Sequence, residues 1–446
     1  MTTRRFGRSG VLAATAVVAL LATGCWRVGS IDGPGAGTGA GRTTDDVHAD
    51  KSAIGVPVLP GFPPLTEPVV GYYDSTAHRL RLGIDAVGTG WNFRDLDGAG
   101  VAGGAGRVSD DVGQYVSLTG AFVNGGPKID GFYLDLTAGR LRHFSASGLG
   151  FTTTFEDVDG VGVPGGGGRT GDGSGLYNSA LWLAGPHDFY TSVSGGNTPH
   201  QRLRHTWFDG STWHFEDVDG PGATSAGATT DNVGSYVSAV VSGSGLHVFY
   251  ADSSNGRLRY AHFASGVWTT QDLDGPGVGG GAGRTGDTVG TYNAAVATAD
   301  GKLHDYYYDT TAHRLRHAWF DGSWHFENLD GPGVAGGGGR TSDNVGSHTA
   351  TVGGDATSLD VFYSDETAHT LRRGHFDGSI WKFESVDGTG SSSTGGTTTD
   401  SVGQYNAAAF NAPGVQLHFF TGDTSNGDLR SGCSTAFGAG APATCN

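Results

Sequence analysis

The chain has 446 residues, of which 81 are Gly and 3 are Cys, and its 27 Lys and Arg against 44 Asp and Glu give a formal net charge of −17. A chain this acidic repels a phosphate backbone, so the composition argues against a nucleic-acid partner. Three cysteines are too few for a disulfide scaffold of this size. The 22 Phe, 15 Tyr and 9 Trp supply enough apolar surface for a large core.

The N-terminal segment has the pattern of an export signal. Three arginines between positions 4 and 8 precede an apolar run over 11–21, and the small residues before Cys25 make this stretch resemble a bacterial lipobox. The resemblance implies removal of residues 1–24, a lipid on Cys25, and a protein anchored to the membrane on its extracytoplasmic side. The alternative is ordinary secretory cleavage, which would leave Cys25 as a plain thiol in a secreted protein.

Seven repeats determine the predicted architecture. In each unit a small-residue strand is followed by three more strands separated by Gly-bounded turns, and in the fourth unit they are predicted over 236–241, 246–250, 257–263 and 268–274. Four strands per unit and no helical pattern indicate an all-β, seven-bladed β-propeller over 25–437, followed by a tail over 438–446. A Pro-rich segment, 57–68, predicts a loop over one face. An Asp-Gly step recurs at spacings of 55 to 65 residues, at Asp32, Asp97, Asp159, Asp219, Asp274, Asp330 and Asp387.

The last repeat lacks its fourth strand, and the missing strand is found at the start of the mature chain. Trp26 stands six residues before Asp32, which is the spacing of Trp381 and Asp387. We therefore predict that residues 26–32 complete the seventh blade and remove an exposed sheet edge.

The C-terminal cysteines predict a disulfide. Cys433 and Cys445 lie 12 residues apart, and an exported protein can join them. A bond between Cys25 and Cys433 is the alternative, because the closure of the ring brings their strands together, and it would exclude lipidation of Cys25.

The glycine-rich loops keep nearly constant length, with 12 or 13 residues between the Asp-Gly step and a later Asp. Ordering each glycine costs roughly 0.5–1 kcal/mol, so other groups must hold these loops. One interpretation is that a loop arginine and the two aspartates do so through ion pairs and bonds to loop amides. The other is Ca²⁺, which would need carboxylate oxygens from the candidates Asp97, Asp110, Asp159, Asp172, Asp219, Asp231, Asp274 and Asp287. No other cofactor is expected.

Two positions that recur around the ring are candidates for ligand binding. A guanidinium beside an indole suits a sugar, which offers hydroxyls to the first and an apolar C–H face to the second. The alternative is that the tryptophans fill the space between blades and the arginines cover them. The arginines follow Leu on the third strand, at Arg81, Arg142, Arg204, Arg259, Arg316, Arg372 and Arg430; the tryptophans begin the fourth strand, at Trp91, Trp213, Trp268, Trp324 and Trp381.

The run L-H-V-F-Y-x-D-x-x-x-G-R-L-R-x-x-x-F-D-G-S-x-W, best seen over 246–268 and 303–324, resembles the blades of β-propeller lectins, namely the fucose-binding lectins and the seven-bladed PLL-like group. The resemblance implies sugar binding in clefts between blades that are lined by Trp and Arg. The chain departs from the fucose lectins because His143, His205 or His317, and not Glu, follows the strand arginine.

The sequence therefore predicts a monomeric, non-catalytic carbohydrate-binding propeller at the cell surface. Catalysis by a glycosidase would need one asymmetric pair of carboxylates, whereas the prominent acids here recur in several units. The alternatives are a protein-binding scaffold and a calcium-stabilised propeller with a cryptic glycosidase-like or lyase-like site.

Overall fold

The computed structural model describes residues 26–59, 65–86, 90–148, 151–164, 166–195, 199–243, 245–353, 358–393, 395–411 and 416–434. Within these ranges the regular structure is entirely β-strand, which confirms the predicted all-β class. None of the described segments is a helix of the length and apolarity needed to cross a membrane.

The strands form seven antiparallel four-stranded sheets, which are the seven blades of a β-propeller. In each of blades 1 to 6 the four strands lie side by side in chain order. The strands are, for blade 1, β2 (Lys51–Leu59), β3 (Leu65–Asp74), β4 (Arg79–Ala86) and β5 (Gly90–Gly98); for blade 2, β6 (Val112–Val123), β7 (Gly126–Asp135), β8 (Arg140–Ser147) and β9 (Thr152–Gly160); for blade 3, β10 (Gly173–Trp182), β11 (Pro186–Val193), β12 (Gln201–Phe208) and β13 (Trp213–Asp219); for blade 4, β14 (Val233–Ser242), β15 (Gly245–Asp252), β16 (Arg257–Ala264) and β17 (Val267–Asp274); for blade 5, β18 (Val289–Ala297), β19 (Leu303–Asp309), β20 (Arg314–Phe320) and β21 (Trp324–Asp330); for blade 6, β22 (Val345–Gly353), β23 (Leu359–Asp365), β24 (Thr370–Phe376) and β25 (Trp381–Asp387); and for blade 7, β26 (Val402–Asn411), β27 (Gln416–Asp423), β28 (Asp428–Ser434) and β1 (Trp26–Asp32).

The seventh blade is closed by the N-terminal strand, as the spacing of Trp26 and Asp32 predicts. β1 pairs antiparallel with β28, so that blade 7 has the order β26-β27-β28-β1. Trp26 is fully buried and packs edge-on against Phe362, with ring centroids 5.8 Å apart. This contact joins blade 7 to blade 6 and completes the ring.

The predicted loop at 57–68 is only partly a loop. β2 continues to Leu59 and β3 starts at Leu65, with Pro57 opposite Thr66 in the ladder. Proline is tolerated here because β2 is an edge strand of its sheet and can lose a ladder donor.

The hydrophobic core lies between neighbouring blades. One cluster joins Phe249 and Leu258 of blade 4 to Tyr307 and Phe326 of blade 5. Each such side chain contributes roughly 1.5–3 kcal/mol when fully buried, so the ring is held together blade by blade.

Candidate functional site

The third-strand arginines lie between blades. Arg142 of blade 2 is 1% exposed, and its Nε donates to Asp97 Oδ2 of blade 1 at 3.1 Å. Tyr133 donates its hydroxyl to the same carboxylate oxygen at 2.7 Å. The other Arg142 nitrogens donate to Asp157 and, at 2.7 Å, to the Gly106 carbonyl. The guanidinium therefore attaches a strand, a loop and the preceding blade to one another.

The arrangement in which the third-strand arginine and a second-strand tyrosine both donate to an aspartate of the preceding blade recurs around the ring. Burial by itself would lower the pKa of Arg142, but Tyr133 and Asp97 raise it above its ordinary value, so the guanidinium stays charged. Thr421 occupies the tyrosine position in blade 7. A sugar in a cleft must therefore be bound mainly by other groups, since at most 7% of each arginine is exposed at Arg81, Arg142, Arg204, Arg259, Arg316, Arg372 and Arg430.

The glycine-rich loops are held by groups of their own repeat, as the first interpretation predicts for the aspartate–amide bonds. The predicted ion pairs of the loop arginine are not found among the described residues, where this arginine donates to a backbone carbonyl instead. Asp97 Oδ1 accepts from the Val108 amide at 2.8 Å, and Arg107 Nε donates to the Leu96 carbonyl at 2.7 Å. The Arg107 guanidinium also lies 4.7 Å from the centroid of the Phe155 ring. The loop is thus fixed at both ends by bonds that its own repeat supplies.

The calcium hypothesis finds no ligand set in the described part of the chain, where no three His, Cys, Asp or Glu side chains are grouped to hold a metal ion. Four of the candidates accept from a guanidinium of the next blade. These are Asp97, Asp159, Asp219 and Asp274.

The tryptophans of the fourth strand fill the space between blades. Trp213 of blade 3 packs edge-on against Phe132 and His143 of blade 2, with centroids 5.8 and 5.0 Å apart. Its indole N–H donates to Glu156 Oε1 at 3.1 Å. Trp91, Trp213, Trp268 and Trp381 are 4 to 9% exposed, and Trp324 is half-buried.

The Glu–Trp hydrogen bond closes three inter-blade clefts. It joins Glu156 to Trp213, Glu216 to Trp268 at 2.7 Å, and Glu384 to Trp26 at 3.2 Å. Elsewhere the glutamate position is filled by Arg94, Gln271 and Gly29, and in blade 5 by Glu327.

The cleft between blades 5 and 6 is open. Glu327 is present and so is Trp381, but the described contacts include no hydrogen bond between them. A cavity of about 540 Å³ lies at this boundary. It is lined by Trp319, His304, His317 and Glu327 of blade 5, by Trp381 and Ile380 of blade 6, and by Arg340 of the intervening loop.

Two histidines form a chain of hydrogen bonds that leads from Glu327 to this cavity. His317 Nδ1 lies 3.0 Å from Glu327 Oε1, and His304 Nδ1 lies 2.9 Å from His317 Nε2. If the carboxylate accepts from His317, the network makes His304 Nδ1 a donor and leaves His304 Nε2 as an acceptor. Burial and the neighbouring His317 lower the pKa of His304 to about 3, so it is neutral at physiological pH.

Blade 3 has histidines at the two equivalent positions, and there they lie in a closed cleft. His187 Nδ1 lies 2.9 Å from His205 Nε2, but His187 Nε2 lies 3.0 Å from the Leu183 carbonyl. In blade 5 no described group bonds the equivalent nitrogen of His304. The cleft between blades 5 and 6 thus leaves an indole N–H and an imidazole nitrogen unbonded by any described group, whereas the equivalent atoms of the cleft between blades 3 and 4 are bonded within the protein, with His187 Nε2 as the donor to the Leu183 carbonyl.

A smaller cleft lies between blades 7 and 1, where Gly29 replaces the glutamate. Its cavity of about 230 Å³ is lined by Trp91, Arg42, Asp85 and His418. Neither ring nitrogen of the buried His418 has a hydrogen-bond partner among the described groups, and burial lowers its pKa to about 4. Burial, followed by the charge of Glu67, raises the pKa of Asp85 to about 6.

Sequence reasoning proposed Trp381 as a site residue but did not propose His304, Glu327 or His418. The available signal was the position three residues before each Asp-Gly aspartate, where glutamate alternates with Arg94, Gln271 and Gly29. That position determines which clefts can form the Glu–Trp bond.

Cys433 is disulfide-bonded, and its partner lies outside the described residues. Cys25 and Cys445 are both outside those residues, and the predicted lipidation of Cys25 falls there as well.

No protein-family model matches the chain, and no curated protein matches it. Among solved structures, the chain is similar to the six-bladed fucose-recognising lectin of Aleuria aurantia, with 18% identity over 73% of this chain and 93% of that one and a TM-score of 0.43. It is similar to a Penicillium chrysogenum α-L-arabinanase, with 12% identity over 71% and 92% and a TM-score of 0.43. It is also similar to the polysaccharide lyase Uly1, with 12% identity over 86% and 89% and a TM-score of 0.49. At these values the comparisons carry no argument about function.

Proposed function

We propose that the protein binds carbohydrate, without catalysis, in the cleft between blades 5 and 6. The observation that carries the proposal is the pair of unused polar atoms in that cleft, the Trp381 indole N–H and His304 Nε2. The corresponding atoms of the cleft between blades 3 and 4 are bonded within the protein.

The chemistry of the cleft fits a sugar ring. Trp381, Trp319 and the exposed Ile380 give the cavity an apolar lining against which the C–H face of a pyranose can pack. Glu327, 39% exposed at its side chain, and His304 Nε2 can accept from hydroxyl groups, and Arg340 can donate to them. A cavity of about 540 Å³ is within the roughly 300–1,000 Å³ of small-ligand sites.

The same groups are poorly arranged for glycoside hydrolysis. A general acid needs a carboxyl group whose pKa is raised. Asp321 lies at the cleft with its Oδ1 3.0 Å from His325 Nε2, and although burial opposes the shift, this bond lowers the pKa of Asp321. Asp321 is therefore suited to remain an anion.

The surroundings in which the protein works are part of the proposal. The N-terminal sequence supports export and a lipid on Cys25, which would hold a monomeric propeller near the outer surface of the membrane. A glycan of the cell surface or its surroundings is then the expected ligand.

A glycan array on the purified protein, with and without EDTA, tests the function. We expect binding that Trp381→Ala lowers at least about tenfold, because the aromatic face and the indole donor are lost together. Trp268→Ala is the matched control, since Trp268 occupies the same position in a closed cleft, and both variants must keep the β-sheet spectrum and a cooperative melt. His304→Phe removes the acceptor while retaining a ring, and it should weaken binding too.

Three other outcomes of the glycan array would change or contradict the proposal. Binding that Trp268→Ala abolishes and Trp381→Ala spares would move the site to another boundary. Loss of binding in EDTA would favour the calcium hypothesis. A folded protein that binds no glycan would contradict the proposal and favour a protein-binding scaffold.

A further inference from the structure

Another large cavity lies on the propeller axis, away from the clefts. It has a volume of about 560 Å³ and is lined by residues from the first strands of all seven blades. Six aromatic rings surround it in succession, and neighbouring centroids are 4.5 to 4.9 Å apart. They belong to Tyr115, Tyr177, Tyr236, Tyr292, His348 and Tyr405.

Each ring partly overlaps the next one around the axis. Neighbouring planes meet at 47 to 53°, close to the one-seventh turn of about 51° that relates the blades of a seven-bladed propeller. The ring planes therefore run along the axis, and at these short distances each ring covers part of its neighbour's face. Edges and hydroxyl groups, not open π-faces, are left to border the cavity.

The backbone is distorted to produce this arrangement. Each of the six aromatic residues has a positive φ, between 50 and 56°, and the ladder register shifts in the same stretch of each first strand. A positive φ is costly for a residue with a large side chain, and bulges re-aim side chains. Because six blades bear this cost, we infer that the arrangement of aromatic groups at the axis is a specific feature of the fold.

Blade 1 breaks the ring. Asp50, with a φ of 33°, stands where the other blades have Tyr or His, and it is followed by Lys51. Lys51 Nζ lies 5.5 Å from the centroid of the Tyr405 ring and donates to the His48 carbonyl. The axial cavity is thus lined by aromatic groups and contains one primary amine.

Lys51 differs from the other three lysines of the chain. Lys128, Lys302 and Lys382 form ion pairs with aspartates at 3.4, 2.7 and 2.8 Å. Within the described residues no carboxylate lies within 4 Å of Lys51 Nζ. A half-buried amine that is partly desolvated and has no close counter-ion is shifted toward its neutral form, which is the nucleophilic form.

We propose that the axial cavity is a capture site for small aldehydes and ketones, at which the Lys51 amine forms a reversible imine. The Nζ lone pair attacks the carbonyl carbon and gives a carbinolamine. That adduct loses water, whose oxygen comes from the carbonyl group and whose two hydrogens come from the amine, as the C=N bond forms. Hydrolysis reverses the step, and neither an oxidant nor a reductant is consumed.

The surroundings support this chemistry at neutral pH. Burial lowers the pKa of Lys51 to about 7 despite the opposing charges of Asp50 and Asp46. Burial also lowers the pKa of His348 to about 4, so that this ring neighbour is neutral. At pH 7 a far larger share of Lys51 is then a free amine than of an ordinary lysine, of which less than roughly one part in a thousand is deprotonated.

Reductive trapping tests the proposal. The purified protein is treated at pH 7 with pyridoxal and cyanoborohydride, and mass spectrometry of peptides follows modification of each of the four lysines. We expect Lys51 to be labelled at least about tenfold faster than Lys302 and Lys382, with a rate that saturates as pyridoxal increases because the cavity fills. The selectivity should disappear in concentrated urea, and Lys51→Arg should leave only the slow labelling.

Equal or slower labelling of Lys51 in the folded protein would overturn the proposal. So would a Lys51 rate that rises linearly with pyridoxal at all concentrations, because it would show a reactive amine without a binding site. The readout is independent of glycan binding, which Trp381→Ala reports separately.

Discussion

Trp268 donates its indole N–H to Glu216 Oε1 at 2.7 Å across the boundary between blades 3 and 4. At the boundary between blades 5 and 6, no such bond between Trp381 and Glu327 is found among the described contacts. Glutamate, tryptophan and two histidines stand at equivalent positions at both boundaries. The presence of the bond separates a closed cleft from one with a cavity of about 540 Å³. This hydrogen bond is therefore one feature that distinguishes the closed cleft from the candidate binding site.

Removing the glutamate should cost more stability in the closed cleft than in the open one. Glu216→Ala leaves Trp268 and His205 without their acceptor, and loss of a buried partner costs about 1–3 kcal/mol. Glu327→Ala removes only the bond to His317, so its free energy of unfolding should fall by less. Urea unfolding of the two variants measures the difference, and equal losses would contradict the importance of the Glu–Trp bond.

Glycines of the loops should differ sharply in their tolerance of alanine. Gly106 has a φ of +86°, and a Cβ there would meet the Phe155 carbonyl oxygen at 1.9 Å. We expect Gly106→Ala to lower the free energy of unfolding by more than about 2 kcal/mol, since backbone must move. Gly103→Ala is the control, because nothing lies within 4 Å of its Cβ position, and it should change stability by no more than about 0.5 kcal/mol. Similar melting temperatures for both variants would show that the loop is not held at Gly106.

Stability should fall in mild acid, and His418 should account for part of the loss. Its pKa is lowered by burial to about 4, so below the unfolded value of about 6.5 the unfolded chain takes up a proton that the native protein excludes. The contribution is absent above that value and destabilises increasingly as pH falls toward 4. Between pH 7 and pH 5 this linkage costs about 2 kcal/mol.

The variant His418→Gln isolates this contribution. Its loss of unfolding free energy between pH 7 and pH 5, from urea titrations, should be about 2 kcal/mol smaller than that of the parent protein. Parallel pH profiles would mean that the His418 ring takes up a proton from solvent in the native state as readily as in the unfolded chain, which would contradict this prediction.

The disulfide should join Cys433 to Cys445. Peptide mapping without reduction checks this, because the cross-linked peptide has a distinct mass. A Cys25–Cys433 cross-link would contradict this pairing, and it would exclude the lipid anchor, since one sulfur cannot carry both bonds.

Much of the fold could be predicted from local patterns. The alternating strands, the turns after each second strand and the Trp–Asp spacing predicted seven four-stranded blades and a closing strand over 26–32, which pairs as expected with β28. The Pro-rich segment was harder to place. Its prolines indicate a loop, but β2 is an edge strand, and a lost donor there is harmless.

The arginines show where sequence reasoning stops. Recurrence next to aromatic residues is equally compatible with a sugar site and with an inter-blade ion pair. Arg142 reaches Asp97, 45 residues earlier and in another blade, and this long-range contact is what buries it.

The sequence by itself determined the number of blades, their strand order and the closure of the ring, because these depend on patterns that repeat within about 60 residues. Only the tertiary structure decided which clefts are open and what occupies the axis. Those properties depend on side chains from different blades, such as Glu327 with Trp381 and Lys51 with Tyr405, meeting or failing to meet across the ring. Differences of an ångström or two decide whether a hydrogen bond forms, and a repeat pattern does not encode them.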